Sequence, residues 1–294
     1  MNTEISNLDF SLAKGYALNV LYAVLTAIAI VFLSHVGAGI PMTVALFYMA
    51  IGSSIVFNVV EAPRFKIVHV AVFKYWRHWL GMSVAFILNW VFSYYSATHS
   101  TAEFYISVFF LTSACCASLK ARNGWKALVC VLAIYIAFAL TQASVAALVA
   151  AVLAGISVFT YFVLSHSFAT HAHLSANSIV AVRCYLLALA AFGYLLFNGE
   201  LAKLAVPGEQ ILELLFLVFF NMIIPSFLSQ TCLHHVGVTR FTQINSMIPV
   251  IAFAMQTIFL GEWRLPILVM CILATMALNH QFFLSFRAIR RTPR

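Results

Sequence analysis

Ten apolar runs, each near 20 residues, follow one another with only short polar breaks between them. They lie near 14–34, 42–60, 78–97, 101–119 and 125–141, then near 146–165, 177–197, 211–232, 240–260 and 266–286. A run of about 20 apolar residues is what a helix needs to cross the hydrocarbon core of a bilayer. The backbone must satisfy its own hydrogen bonds there, and helices do so within a single segment. The pattern therefore predicts an all-α membrane protein with ten transmembrane helices.

Several of these runs are interrupted by polar residues at helical spacing, which places them on one face of each helix. They read Asn19, Tyr22, Thr26 on the first run, Asn89, Ser93, Ser96 on the third and Tyr105, Thr112 on the fourth. The sixth carries Ser157, Thr160, Tyr161, the eighth Asn221, Pro225, Ser229, and the ninth Thr242, Asn245, Ser246, Gln256, with Gln243 beside them. The fifth has little beyond Tyr135. Polar groups facing lipid are costly, so such stripes face protein or water. Small polar residues also join helices to one another. The stripes predict a central cavity, with Asn19, Tyr22, Asn89, Trp90, Ser93, Tyr94, Tyr105, Tyr161, Asn221, Gln243, Asn245 and Ser246 as candidate solute contacts. The aromatic members suit stacking against a flat or partly apolar solute, whereas most of the 27 Phe are expected at the lipid face. Trp76 and Trp79, beside Lys74 and Arg77, fit an interfacial belt.

Residues 242–266 combine a polar stripe, Pro249 near the centre of an apolar run, and Leu260-Gly261-Glu262 before the next run. A proline inside a helix leaves a carbonyl without its donor, so Pro249, like Pro225, is a candidate hinge. A mid-helix Pro followed about a dozen residues later by Leu-Gly-Glu resembles the penultimate helix of an EamA-type repeat, of the drug/metabolite transporter superfamily. Asn177–Arg183 resembles the start of the second helix of such a repeat, where an Arg is habitual. The resemblance extends over residues 14–286. It implies two inverted five-helix repeats, 14–141 and 146–286, around a central cavity lined by helices 1, 3, 4, 6, 8 and 9. It also implies export of small metabolites such as amino acids across a bacterial inner membrane, or of a siderophore, metallophore or drug on the same fold. The first half departs from the pattern: Tyr48 stands near the Arg position, Phe110 replaces the helix proline, and no Leu-Gly-Glu precedes Trp125. Leu33-Ser34-His35 and Leu164-Ser165-His166 close the first and sixth runs alike, in keeping with an internal repeat.

Composition agrees with the membrane reading. The 294 residues are 64% hydrophobic and 8% charged, far from a soluble domain, and leave no room for a separate one. The net charge of +8 belongs to topology rather than to nucleic acid. With the N-terminus inside, thirteen Lys and Arg fall on the cytoplasmic side, against Lys203 and Arg264 opposite and Arg183 within a span. This positive-inside asymmetry predicts that both termini are cytoplasmic. Met1–Phe10 is polar and acidic, so no cleavable leader is expected.

The six cysteines show no zinc-type spacing and read as packing residues. Arg183 either attracts a solute carboxylate, pairs with an acidic residue, or snorkels to the cytoplasmic edge. Glu103, in Ser100-Thr101-Ala102-Glu103, fits a capping box, Glu213 lies near a helix start, and either carboxylate is a candidate for proton coupling. Glu262 reads as a cap at a turn. His171-Ala-His173 and His234-His235 hint at a membrane metalloenzyme, but neither spacing matches a histidine box, so no enzyme and no cofactor is expected. The expected partners are a small-molecule solute and the lipid bilayer, not nucleic acid, and a second copy in a homodimer is compatible with the pattern.

Overall fold

The computed structural model describes residues 2–36, 39–260 and 265–289, with side chains described for 13–31, 39–258 and 265–280. Leu33-Ser34-His35, Glu262, Arg264 and the arginines from Arg287 onward lie outside the described side chains. Among the described residues the chain is helical throughout and contains no strand. The helices are α1 (Asn2–Val36), α2 (Met42–Val60), α3 (Phe65–Lys74), α4 (Trp76–His99), α5 (Ala102–Lys120) and α6 (Gly124–Thr141). Then come α7 (Val145–Ala172), α8 (Ala176–Arg183), α9 (Tyr185–Phe197), α10 (Ile211–Phe216), α11 (Ile224–Asn245), α12 (Ile248–Leu260) and α13 (Leu265–Ile289). Among the described residues eight segments are long and apolar enough to cross a membrane, and two shorter apolar helices, Ile248–Ile258 and Leu265–His280, follow them.

Local chemistry explains several starts. Thr101, Ser144 and Ser175 each accept a hydrogen bond from a backbone N–H of the first turn of α5, α7 and α8. The cap of α5 is thus Thr101 rather than Ser100, whose hydroxyl donates to the Ser96 carbonyl instead.

Four features depart from ten uninterrupted helices. First, a short helix, α3, occupies what reads as a basic loop between the second and third runs. It buries Val68, Ala71 and Val72 and leaves Phe65, Ile67, Val70 and Phe73 exposed, as an interfacial helix would. Second, the seventh run breaks at Cys184, between α8 and α9. The carbonyls freed there are taken up by first-half side chains: Asn58 Nδ2 donates to Ala181 O at 3.0 Å, and Trp79 Nε1 to Val182 O at 2.9 Å. Trp79 is therefore a helix-joining residue and not simply a belt residue.

Third, a π-helical turn, Leu217–Ile223, links α10 to α11. Pro225 follows it and has no N–H for the Asn221 carbonyl, and the widened turn is the local response. Fourth, α11 is two helices meeting at Gly237, whose φ of 74° and ψ of 164° suit glycine alone. The residues after Gly237 run on to Asn245, break at Ser246–Met247 and resume as α12. Pro249 is consequently the second residue of α12, not the middle of a continuous helix. The bend expected from it falls in the turn just before it.

The halves interlock. α4 packs on α7, α1 on α11 and α12, α2 on α9, α5 on α7 and α12, and α6 on α13. Gly155 permits the close α5–α7 crossing: a Cβ there would stand 2.6 Å from Thr112 Cβ and 2.7 Å from the Phe109 carbonyl oxygen.

Candidate functional site

A cavity of about 390 Å³ lies among α1, α4, α5, α7, α8 and the π-turn and α11 segment. Its volume falls within the range of small-molecule sites. The stripes reach it through Tyr22 and Thr26 of α1, Asn89, Trp90, Ser93 and Tyr94 of α4, and Tyr105 of α5. From the second half come Tyr161, Asn221, Pro225, Ser229 and Asn245. The lining extends to Thr98 and Ala102, on either side of the α4–α5 turn.

Arg183 also lines the cavity, and it does not snorkel. Its side chain is 3% exposed. Nη1 donates to the Tyr161 hydroxyl at 2.6 Å, while Nη2 donates to Ser226 Oγ and lies 3.8 Å from Met222 Sδ. The guanidinium sits 4.6 Å from the Phe86 ring centroid and 5.6 Å from that of Tyr161. The break at Cys184 holds it there, because Asn58 and Trp79 fix the last carbonyls of α8. From Tyr161 a buried chain continues away from the cavity: Gln230 Nε2 donates to the Tyr161 oxygen at 2.5 Å, and Ser165 Oγ to Gln230 Oε1 at 2.8 Å.

The remaining candidates lie elsewhere. Asn19 is fully buried and donates to the Phe241 carbonyl at 3.3 Å. Gln243 and Ser246 meet α13: Asn279 Nδ2 lies 3.1 Å from both Gln243 O and Ser246 Oγ, and Thr275 Oγ1 donates to Ser246 O at 2.7 Å. The Thr275 bond takes up the Ser246 carbonyl at the break before Pro249, whereas Gln243 O also accepts from the Ser246 N–H and hydroxyl. Glu103 is buried and accepts from Gln256 Nε2 at 3.3 Å, tying α5 to α12, so it is not the acid of a capping box. Glu213 is half-buried in the first turn of α10, away from the cavity.

Sequence reasoning overlooked three things. Phe86, Phe109, Phe110 and Phe162 line the cavity, although phenylalanine on an apolar helix gives no sign of which side it faces. Ser226 carries an Arg183 bond, and its place one residue after Pro225 was the available clue. Glu61 is buried at the end of α2 and accepts from Ser178 Oγ at 2.7 Å and Ser175 Oγ at 3.3 Å, at the start of α8. A carboxylate beside a helix N-terminus is favourable. Among the described residues, no three His, Cys, Asp or Glu converge on a metal-sized site.

Residues 145–278 match the model of the EamA-like transporter family. A solved crystal structure aligns with a TM-score of 0.66 at 14% identity, over 95% of this chain and 99% of the other, which establishes a shared fold. No curated protein matches the sequence.

Proposed function

We propose that the protein is a secondary transporter. It moves small metabolites such as amino acids out across a bacterial inner membrane, by alternating access through the cavity beside Arg183. The observation that carries this reading is the convergence of hydrogen-bonding side chains from both halves, with one buried cation, on a hollow inside an apolar helical body. The match of residues 145–278 to the EamA-like transporter family favours transport of a small solute over catalysis. Direction and membrane follow from the family resemblance and from the Lys and Arg distribution, which puts the α4–α5 turn on the outer side.

Ten spans in two inverted repeats, 14–141 and 146–286, complete the proposal. The helix pairing supports it, because exchanging the halves maps most of the main pairs onto pairs that also exist, α5–α11 being an exception. If α1, α2, α4, α5 and α6 correspond to α7, α9, α11, α12 and α13, then α4–α7 becomes α11–α1 and α5–α7 becomes α12–α1. The pairs α2–α9, α5–α12 and α6–α13 map onto themselves, and every one of these contacts exists. Such an exchange is compatible with the pseudo-twofold of inverted-topology repeats. The helix breaks at Cys184, Gly237 and Ser246–Met247, with the π-turn before Pro225, supply flexible points for alternating access.

The test is flux in proteoliposomes for a panel of labelled amino acids, organic acids, siderophores and drugs. Uptake or efflux above empty vesicles for at least one class is expected. No flux for any class overturns the proposal.

A further inference from the structure

We infer that the cavity selects a small monoanion, a carboxylate on an apolar or aromatic body without an ammonium group, bound through Arg183. This rests on the transporter reading above and narrows its small metabolites to organic acids, away from the amino acids given there as the example.

Charge balance carries it. Among the described residues Arg183 is the only formally charged side chain in the cavity lining. Its partners Tyr161, Ser226 and Met222 are neutral. Among the described residues the one ion pair is Lys203–Glu200, on an exposed turn. A buried cation in a membrane interior is stable only with compensating charge or strong hydrogen bonding. The rings of Phe86 and Tyr161 ease that cost without cancelling the charge.

The orphaned polar atoms point the same way. Arg183 Nε, Trp90 Nε1 and Asn221 Nδ2 are buried donors without a partner, and all three belong to residues that line the cavity. The hydroxyls of Thr26 and Ser113 in the same lining are unpartnered too and can donate or accept. Three obligate donors thus stand against one obligate acceptor, Asn245 Oδ1, and beside a fixed positive charge they call for an acceptor group carrying one negative charge. A zwitterion fits less well, because its ammonium enters a hollow with no carboxylate on the wall and a cation already present. Two of the lining rings, Phe86 and Tyr161, already face Arg183. A dianion leaves one charge uncompensated. Asn245 Oδ1, a buried acceptor without a partner, suits a neutral donor such as a hydroxyl on the solute.

Four compounds with one ring and a similar chain separate the charges: 3-phenylpropionate, phenylalanine, phenethylamine and 3-phenylpropanol. Their binding to the purified full chain is measured by calorimetry. Phenylpropionate is expected to bind at least about tenfold more tightly than the other three, as a desolvated charge pair allows. Arg183→Gln is expected to abolish that preference. Asn221→Leu and Trp90→Phe each remove a donor that has no partner in the protein, so they break no internal bond; each is expected to weaken phenylpropionate binding about three- to tenfold. These two carry the test if Arg183→Gln does not fold. Phenylalanine, phenethylamine or phenylpropanol binding as tightly as phenylpropionate overturns the inference, as does binding of none of the four. In either case the transporter reading still stands or falls on the flux panel alone.

Discussion

Replacing Tyr161 with Phe removes a single oxygen on which two buried donors depend. Arg183 Nη1 at 2.6 Å and Gln230 Nε2 at 2.5 Å both give their hydrogens to it. Arg183 is 3% exposed and Gln230 1% exposed, so neither donor reaches bulk water. An orphaned buried donor costs about 1–3 kcal/mol, and a charged one lies toward the upper end. Against this, hydrogen bonds between membrane helices average about 0.6 kcal/mol and reach about 1.7 in measured cycles. The remaining partners soften the loss: Arg183 keeps Ser226, and Gln230 keeps Ser165 on its oxygen. The two scales meet near 2 kcal/mol for Tyr161→Phe. Unfolding by SDS titration in mixed micelles measures it directly. A double cycle with Arg183→Gln should give less than the sum of the single losses, because both remove the same bond. A Tyr161→Phe protein within about 0.5 kcal/mol of the parent would refute the claim that this network holds Arg183.

Three further outcomes follow from the packing and the cavity. Gly155→Ala places a Cβ against Thr112 Cβ and the Phe109 carbonyl, prising α5 from α7; a loss of about 1–3 kcal/mol is expected in the same unfolding assay. Asn279→Leu withdraws the amide that meets Gln243 O and Ser246 Oγ at the break before Pro249, and should cost about 1–2 kcal/mol. Asn89→Ala and Asn245→Ala alter groups that face the cavity. Flux should fall several-fold with membrane abundance unchanged, and unchanged flux in both would remove the two side chains from the solute path.

Much of the cavity wall was legible because polarity on an apolar helix is conspicuous. Tyr22, Asn89, Ser93, Tyr105, Tyr161, Asn221 and Asn245 all stood out at helical spacing and all line the hollow. Spacing marks a face but not what the face meets, which is why Gln243 and Ser246 were indistinguishable from Asn245 until α13 was in place. Arg183 stayed open among three readings for a related reason. A long side chain two turns from a membrane edge can snorkel, and only the Cys184 break and the hydroxyls of Tyr161 and Ser226 keep it inward. The breaks at Gly237 and Ser246–Met247 left the apolar runs intact, so hydropathy marked the apolar segments and missed their interruptions. α3 was hidden because Lys66 and Lys74 made its segment look like a loop.

The central claim, that solute crosses through this hollow, is tested most directly by filling it. Ser93 lies on the α4 wall of the cavity, and Ser93→Trp puts an indole into the space. Flux through proteoliposomes carrying the parent or the Ser93→Trp protein, at equal folded content, is the measurement. The account predicts flux with the parent and near-complete loss with the variant; transport at the parental rate through the blocked protein would contradict it.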